Sequence, residues 1–110
     1  IYETLSIEKS DLTIRTSVVK VSKLNNFDIQ NVSLIKIDSE GYEKEVLMGM
    51  TNYLKKGVNI ILENTPSSFK FSKRYLKSFG YECYSFQKDH LTKNKLKKSL
   101  NLFFIKKTNL

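Results

Sequence analysis

The sequence predicts an α/β fold whose sheet is mainly parallel and closes in a C-terminal antiparallel hairpin. Three observations carry this. Short apolar, β-branched runs alternate with segments of helical period. Gly57, Pro66 and Gly80 punctuate the ends of those segments. The last two strand-like runs follow one another with no helical pattern between them. The order β, β-α, β-α, β, β implies right-handed crossovers between parallel strands.

Each element has its own signal. "SVVKVSKL" (17–24) is β-branched and alternating, with Val19 and Val21 facing opposite to Val18, which predicts a short strand; the polar "NNFDIQN" is a connection. "VSLIKI" (32–37) is apolar on both faces, as expected of a strand covered by helices on each side, and Lys36 is expected near its end. From Tyr42 the period changes. Tyr42, Val46, Leu47, Met50 and Leu54 recur at helical spacing, Glu43 falls on the polar arc, and Gly57 supplies the stop, predicting one helix. "VNIILE" (58–63) is a second buried strand. Phe71, Tyr75 and Phe79 fall at i, i+4 and i+8 beside Leu76, and Gly80 ends this second helix. "YECYSF" (81–86) and "LNLFFIK" (100–106) are strands separated by the lysine-rich "QKDHLTKNKLKKS".

A chain of 110 residues holds one domain and one core. Position 1 is isoleucine, so the text is a processed chain or a piece of a longer one. Net charge +8 and a pI of about 9.6 raise nucleic acid, an anionic membrane surface or an anionic substrate as partners. Lysine supplies nearly all of that charge and asparagine is frequent, a composition that biased codon usage also produces. Cys83 is the only cysteine, which excludes an intramolecular disulfide or a cysteine zinc cluster and makes a reducing compartment the default. No apolar run approaches the ~20 residues of a membrane span, and the N-terminus lacks the order of a signal peptide. The expectation is a soluble, cytoplasmic protein.

Ligands of open α/β sheets bind beyond the carboxyl ends of the strands, where Asp38, Glu40 and Glu63 fall. A structural explanation weighs equally: carboxylates at a helix start each contribute about 0.3–1 kcal/mol through free N–H groups and the helix dipole, and Gly41 allows a tight turn. His90, the only histidine, sits in the lysine-rich loop, where solvation explains it better than catalysis. Asp38, Glu40 and Glu43 on one turn could hold a divalent cation, but nothing demands one and no metal is expected.

"LIKIDSEGYEKEVLMGM", followed by "VNIILEN", resembles the signature of the FkbM family of S-adenosylmethionine-dependent methyltransferases, hydrophobic-K-I-D-x-E-G-x-E-x-x-hydrophobic-L-x-G. Ile37, Asp38, Glu40, Gly41, Glu43, Leu47 and Gly49 match it. "VVKVSKLNNF" resembles the family's strand ending in Leu-Asp, and "FGYECYSF" with "NLFFIKK" resembles its closing strands. Leu24-Asn25 stands where the family has Leu-Asp, and Ser39 where valine is frequent. The family's glycine-rich loop and ribose-binding acid have no counterpart among glycines at 41, 49, 57 and 80. The resemblance therefore covers the C-terminal half of a Rossmann-like domain.

It implies S-adenosyl-L-methionine as cofactor, a small-molecule hydroxyl such as a carbohydrate as acceptor, and a fragment inactive alone. Asp38 and Glu40 would be its catalytic carboxylates and Glu63 a third residue of the substrate site. It also implies one sheet in which 101–106 lies between 58–63 and 81–86, with the helices against its faces. A nucleic-acid-binding module is the alternative, suggested by Phe69, Phe71, Tyr75 and Phe79 interleaved with Lys70, Lys73, Arg74 and Lys77. Helical spacing assigns those rings to the core, which disfavours it. A non-catalytic interaction domain is the third reading.

Overall fold

The computed structural model describes residues 2–8, 14–63, 65–93 and 101–109. Strands β1 (Tyr2–Glu8) and β2 (Ile14–Lys20) form an antiparallel hairpin separate from the main sheet. The chain continues through a 3-10 turn (Leu24–Asn26) to β3 (Leu34–Ile37), α1 (Glu43–Met48), α2 (Thr51–Lys56), β4 (Asn59–Glu63) and α3 (Phe69–Ser78). It ends in β5 (Tyr81–Gln87), β6 (His90–Lys93) and β7 (Asn101–Lys106), followed by a second 3-10 turn (Lys107–Asn109). The main sheet has the order β3-β4-β7-β5-β6, so β7 does lie between β4 and β5.

The mainly parallel sheet is a correction. Only β3 and β4 run parallel; β4-β7, β7-β5 and β5-β6 are antiparallel. The additional strand β6 comes from the lysine-rich segment, where Lys88 and Asp89 at φ 48° and 65° form a two-residue hairpin link. That link normally uses Asn-Gly, so Lys-Asp hides it. The remainder of the segment, 94–100, lies outside the described residues, as does Asn64.

Burial is one-sided. Ile37, Leu62 and Leu102 are in register, as are Ile60, Phe104 and Cys83, and all are buried on the face where Leu47, Leu54, Phe69 and Leu76 of the helices join them. On the opposite face Ile61, Phe103, Ile105 and Tyr84 are half-buried, while Leu34 and Phe86 are 53% and 59% exposed. The expectation that 32–37 is covered on both sides is therefore corrected: among the described residues β3 is an edge strand whose Leu34 and Lys36 face is exposed, while Lys36 does lie next to the strand's last residue.

The helix expected from Tyr42 to Gly57 is two helices. At the break, a Cβ on Gly49 would meet Lys23 Cβ and Cγ at 3.3 Å, and its carbonyl accepts Asn25 N–H at 2.8 Å. Gly49 thus admits the preceding segment against the helix, which interrupts it. The faces also change: Tyr42 is 63% exposed and Glu43 is 1% exposed, the reverse of the periodic assignment. In α3, Phe69, Ser72 and Leu76 are buried, whereas Phe71, Tyr75 and Phe79 form a half-buried ring ladder with centroids 5.1 and 5.3 Å apart. Among the described residues no helix is long and apolar enough to cross a membrane.

Candidate active site

The parallel register pairing Ile37 with Leu62 carries Asp38 and Glu63 to the same end of neighbouring strands. Asp38 is exposed and Glu63 half-buried. The Asp38 carboxyl beside it, through hydrogen bonding and its charge, raises the Glu63 pKa above its ordinary 4.5, with burial and the Glu40 charge adding to it and Lys36 opposing. Asp38 and Glu63 are thus neighbours, and Glu40 is near enough for its charge to act on Glu63. His90 does not join them: it lies exposed at the start of β6, with Nδ1 3.0 Å from Lys88 O.

The loop after β3 is an unusual turn. Glu40 and Gly41 have φ values of 48° and 107°, and Tyr42 N–H closes the turn on Ser39 O at 3.3 Å. Gly41 has nothing within 4 Å of a hypothetical Cβ, so its requirement is the dihedral alone. Glu40 holds the left-handed conformation despite its Cβ, at a cost of about 1 kcal/mol. This turn directs the chain from the strand end into α1.

Glu43 is what holds the turn. Its Oε2 accepts Gly41 N–H at 2.7 Å and Ser39 Oγ–H at 3.1 Å; its Oε1 accepts Ser68 Oγ–H at 3.1 Å and the Thr65 hydroxyl. Burial acts to raise its pKa, but the bonds from Thr65, the backbone of Glu43 and Gly41, and Ser39 outweigh it and hold the carboxyl below its ordinary 4.5. Ser68 stands at the N-cap of α3 yet makes no capping bond, its hydroxyl being directed to Glu43. Sequence reasoning placed Glu43 on a solvated arc and read the Thr65–Ser68 stretch only as punctuation. The available signal was a Thr-x-x-Ser stretch just beyond a strand neighbouring the carboxylate loop.

Asn25, where the family pattern has aspartate, has a structural explanation. Its Oδ1 accepts Asn52 N–H at 3.0 Å and its Nδ2 donates to Thr51 Oγ1 at 2.8 Å, serving a free N–H in the first turn of α2. An aspartate would accept the same Asn52 N–H, but the Thr51 hydroxyl would have to turn and donate to it. Beside Tyr42, an apolar groove of about 610 Å³ opens between the 21–27 segment and α1, lined by Val21, Leu24, Phe27, Tyr42 and Val46. Among the described residues no three of His, Cys, Asp and Glu converge as metal ligands.

No curated protein and no solved structure matches the chain. The family model described as the methyltransferase FkbM domain matches residues 3–83, from the β1–β2 hairpin through the carboxylate loop and α3 into β5. The resemblance of "NLFFIKK" to the closing strand lies outside those residues. With the matched segment spanning most of the chain and containing the Asp38, Glu40 and Glu63 site at its centre, the chain belongs to the FkbM methyltransferase domain family.

Proposed function

We propose that the chain is the C-terminal half of an S-adenosylmethionine-dependent O-methyltransferase domain and carries the acceptor side of its active site. The observation behind this reading is that Asp38 and Glu63 neighbour one another beyond two parallel strands, with the Glu40 charge acting on Glu63. A hydroxyl is a poor nucleophile while protonated, and a carboxylate within hydrogen-bond reach orients it and takes its proton. Asp38 and Glu40 are the accepting carboxylates. Glu63, which keeps its proton to higher pH than an ordinary glutamate, hydrogen-bonds Asp38 and orients it. A carbohydrate hydroxyl is the acceptor class, and the cytoplasm the compartment.

S-adenosylmethionine supplies the methyl group in this family, but the described residues do not form its cradle. Gly41 lies in the site turn, Gly49 between α1 and α2, Gly57 at the left-handed end of α2, and Gly80 between α3 and β5. Gly41 does lie between a strand and a helix, but as a single glycine rather than the glycine-rich run that cradles a nucleoside donor. The half-domain reading is supported by the open edge of β3 and the uncovered face beside it. Another parallel strand on that edge, with a helix over Ile61, Phe103 and Tyr84, would cover both.

Calorimetric titration with S-adenosylmethionine tests this. The 110-residue chain alone should show no micromolar affinity. A domain extended by a glycine-rich strand-loop-helix on β3 should bind the donor and move labelled methyl to a sugar hydroxyl. Micromolar binding by the 110-residue chain would refute the division of the site, and an extended domain that binds donor but methylates no hydroxyl would refute the reaction assigned.

A further inference from the structure

We propose that Glu43 is a positioning residue: its buried carboxylate clamps the two loops that carry Asp38 and Glu63, so that these side chains meet. Calling Asp38 and Glu63 an acceptor-side pair rests on the methyltransferase reading; the clamp is a statement about geometry. Asp38 directly precedes Ser39, and Glu63 lies two residues before Thr65. Ser39 and Gly41 hold Oε2, while Thr65 and Ser68 hold Oε1, so each loop is tied to a different oxygen of one carboxylate. Between β3 and β4 themselves the paired register ends at Ile37 and Leu62. Beyond that point Glu43 links the loops.

A carboxylate suits the position because all four partners are donors. Three are hydroxyls, which can rotate to accept instead, while Gly41 N–H cannot. A glutamine at 43 can therefore keep its oxygen on Gly41 and turn its NH₂ toward the Thr65 and Ser68 hydroxyls. A methionine of similar length cannot hold either loop. The clamp also explains why Glu40 stays left-handed: the N–H of the next residue, Gly41, is held from within the core.

The test is a carbon-13 NMR titration of the Glu63 carboxyl in the 110-residue chain, with thermal melts alongside. The groups facing Glu63 are Asp38, Glu40 and Lys36. In Glu43→Met the Glu63 midpoint should fall toward that of an ordinary glutamate as the loops part, and in Glu43→Gln it should stay raised. A purely structural role would lower the melting temperature of Glu43→Met and leave the midpoint in place, which overturns the proposal. Should Glu43→Met fail to fold, the double variant Thr65→Val with Ser68→Ala releases one loop only. A lowered midpoint there supports the clamp and an unchanged one overturns it. Because no methyl transfer is measured, failure of the clamp leaves the enzyme reading standing, and an inactive domain leaves the clamp standing.

Discussion

Replacing Asp38 by asparagine separates a catalytic role from a helix-starting one, because the structure makes the two effects unequal. Asp38 is exposed and joins no packed contact in the core, so the change belongs with surface substitutions, within about 0.5 kcal/mol. It also removes a like charge from beside Glu63, which acts in the stabilising direction. For a chain of this size the melting temperature should move by less than about 2 °C. Losing a positioned base costs roughly 10²-fold in turnover, equivalent to about 2.7 kcal/mol of barrier. Such a loss is too large to arise from the stability change.

Glu40 permits a second version of the comparison. Glu40→Gly relieves about 1 kcal/mol of left-handed strain and loses about the same to backbone entropy, so it deletes the carboxylate at nearly constant stability. The assay is the initial rate of S-adenosylhomocysteine formation by the extended domain with a sugar acceptor, alongside thermal melts of each variant. At least one of Asp38→Asn and Glu40→Gly should lose about two orders of magnitude in turnover while melting like the parent. Full activity in both would refute the reasoning and leave the cluster as the start of α1.

Two further outcomes concern the fold. Tyr81 donates its hydroxyl to Val58 O at 2.6 Å from a buried position, and burial pushes its pKa up to about 12, so Tyr81→Phe should leave that carbonyl short of a donor. It should cost about 1–2 kcal/mol, read as a fall of roughly 4–8 °C in melting temperature. The two shifted glutamates should also give opposite pH profiles. The depressed Glu43 stabilises the fold above its ordinary 4.5, and that contribution is lost as pH falls through its lowered value; the raised Glu63 contributes fully below 4.5 and loses it as pH rises through its raised value. Melting curves from pH 3 to 7 should therefore show Glu43→Gln closing on the parent in acid. Glu63→Gln should be the more stable protein only at the neutral end, and parallel profiles for both variants would contradict the assigned shifts.

The sequence by itself placed strands at 32–37, 58–63, 81–86 and 101–106, which the structure has at 34–37, 59–63, 81–87 and 101–106, together with helical segments between the first three and Asp38 and Glu63 at the same end of neighbouring strands. These are legible because apolar periodicity and Gly or Pro punctuation act over a few residues, and because parallel neighbours must place their carboxyl ends together. It also carried the family signature, which depends on local spacing. Strands β1 and β6 were not visible, since a Lys-Asp link does not announce a turn, whereas β2 was expected at 17–24 and lies at Ile14–Lys20, paired with β1 outside the main sheet.

Only the tertiary structure decided that Gly49 would break a helix, that Tyr42 would face solvent, and that Glu43 would enter the core. Helical period fixes which residues share a face and leaves open which face meets the rest of the molecule. A glutamate can lie on the buried side only where four donors converge on it, and those donors come from loops some 25 residues apart in the chain. The uncovered side of the sheet has the same origin: Ile61, Phe103 and Ile105 read as core residues in any window, and whether a layer covers them depends on what packs there rather than on the strands themselves.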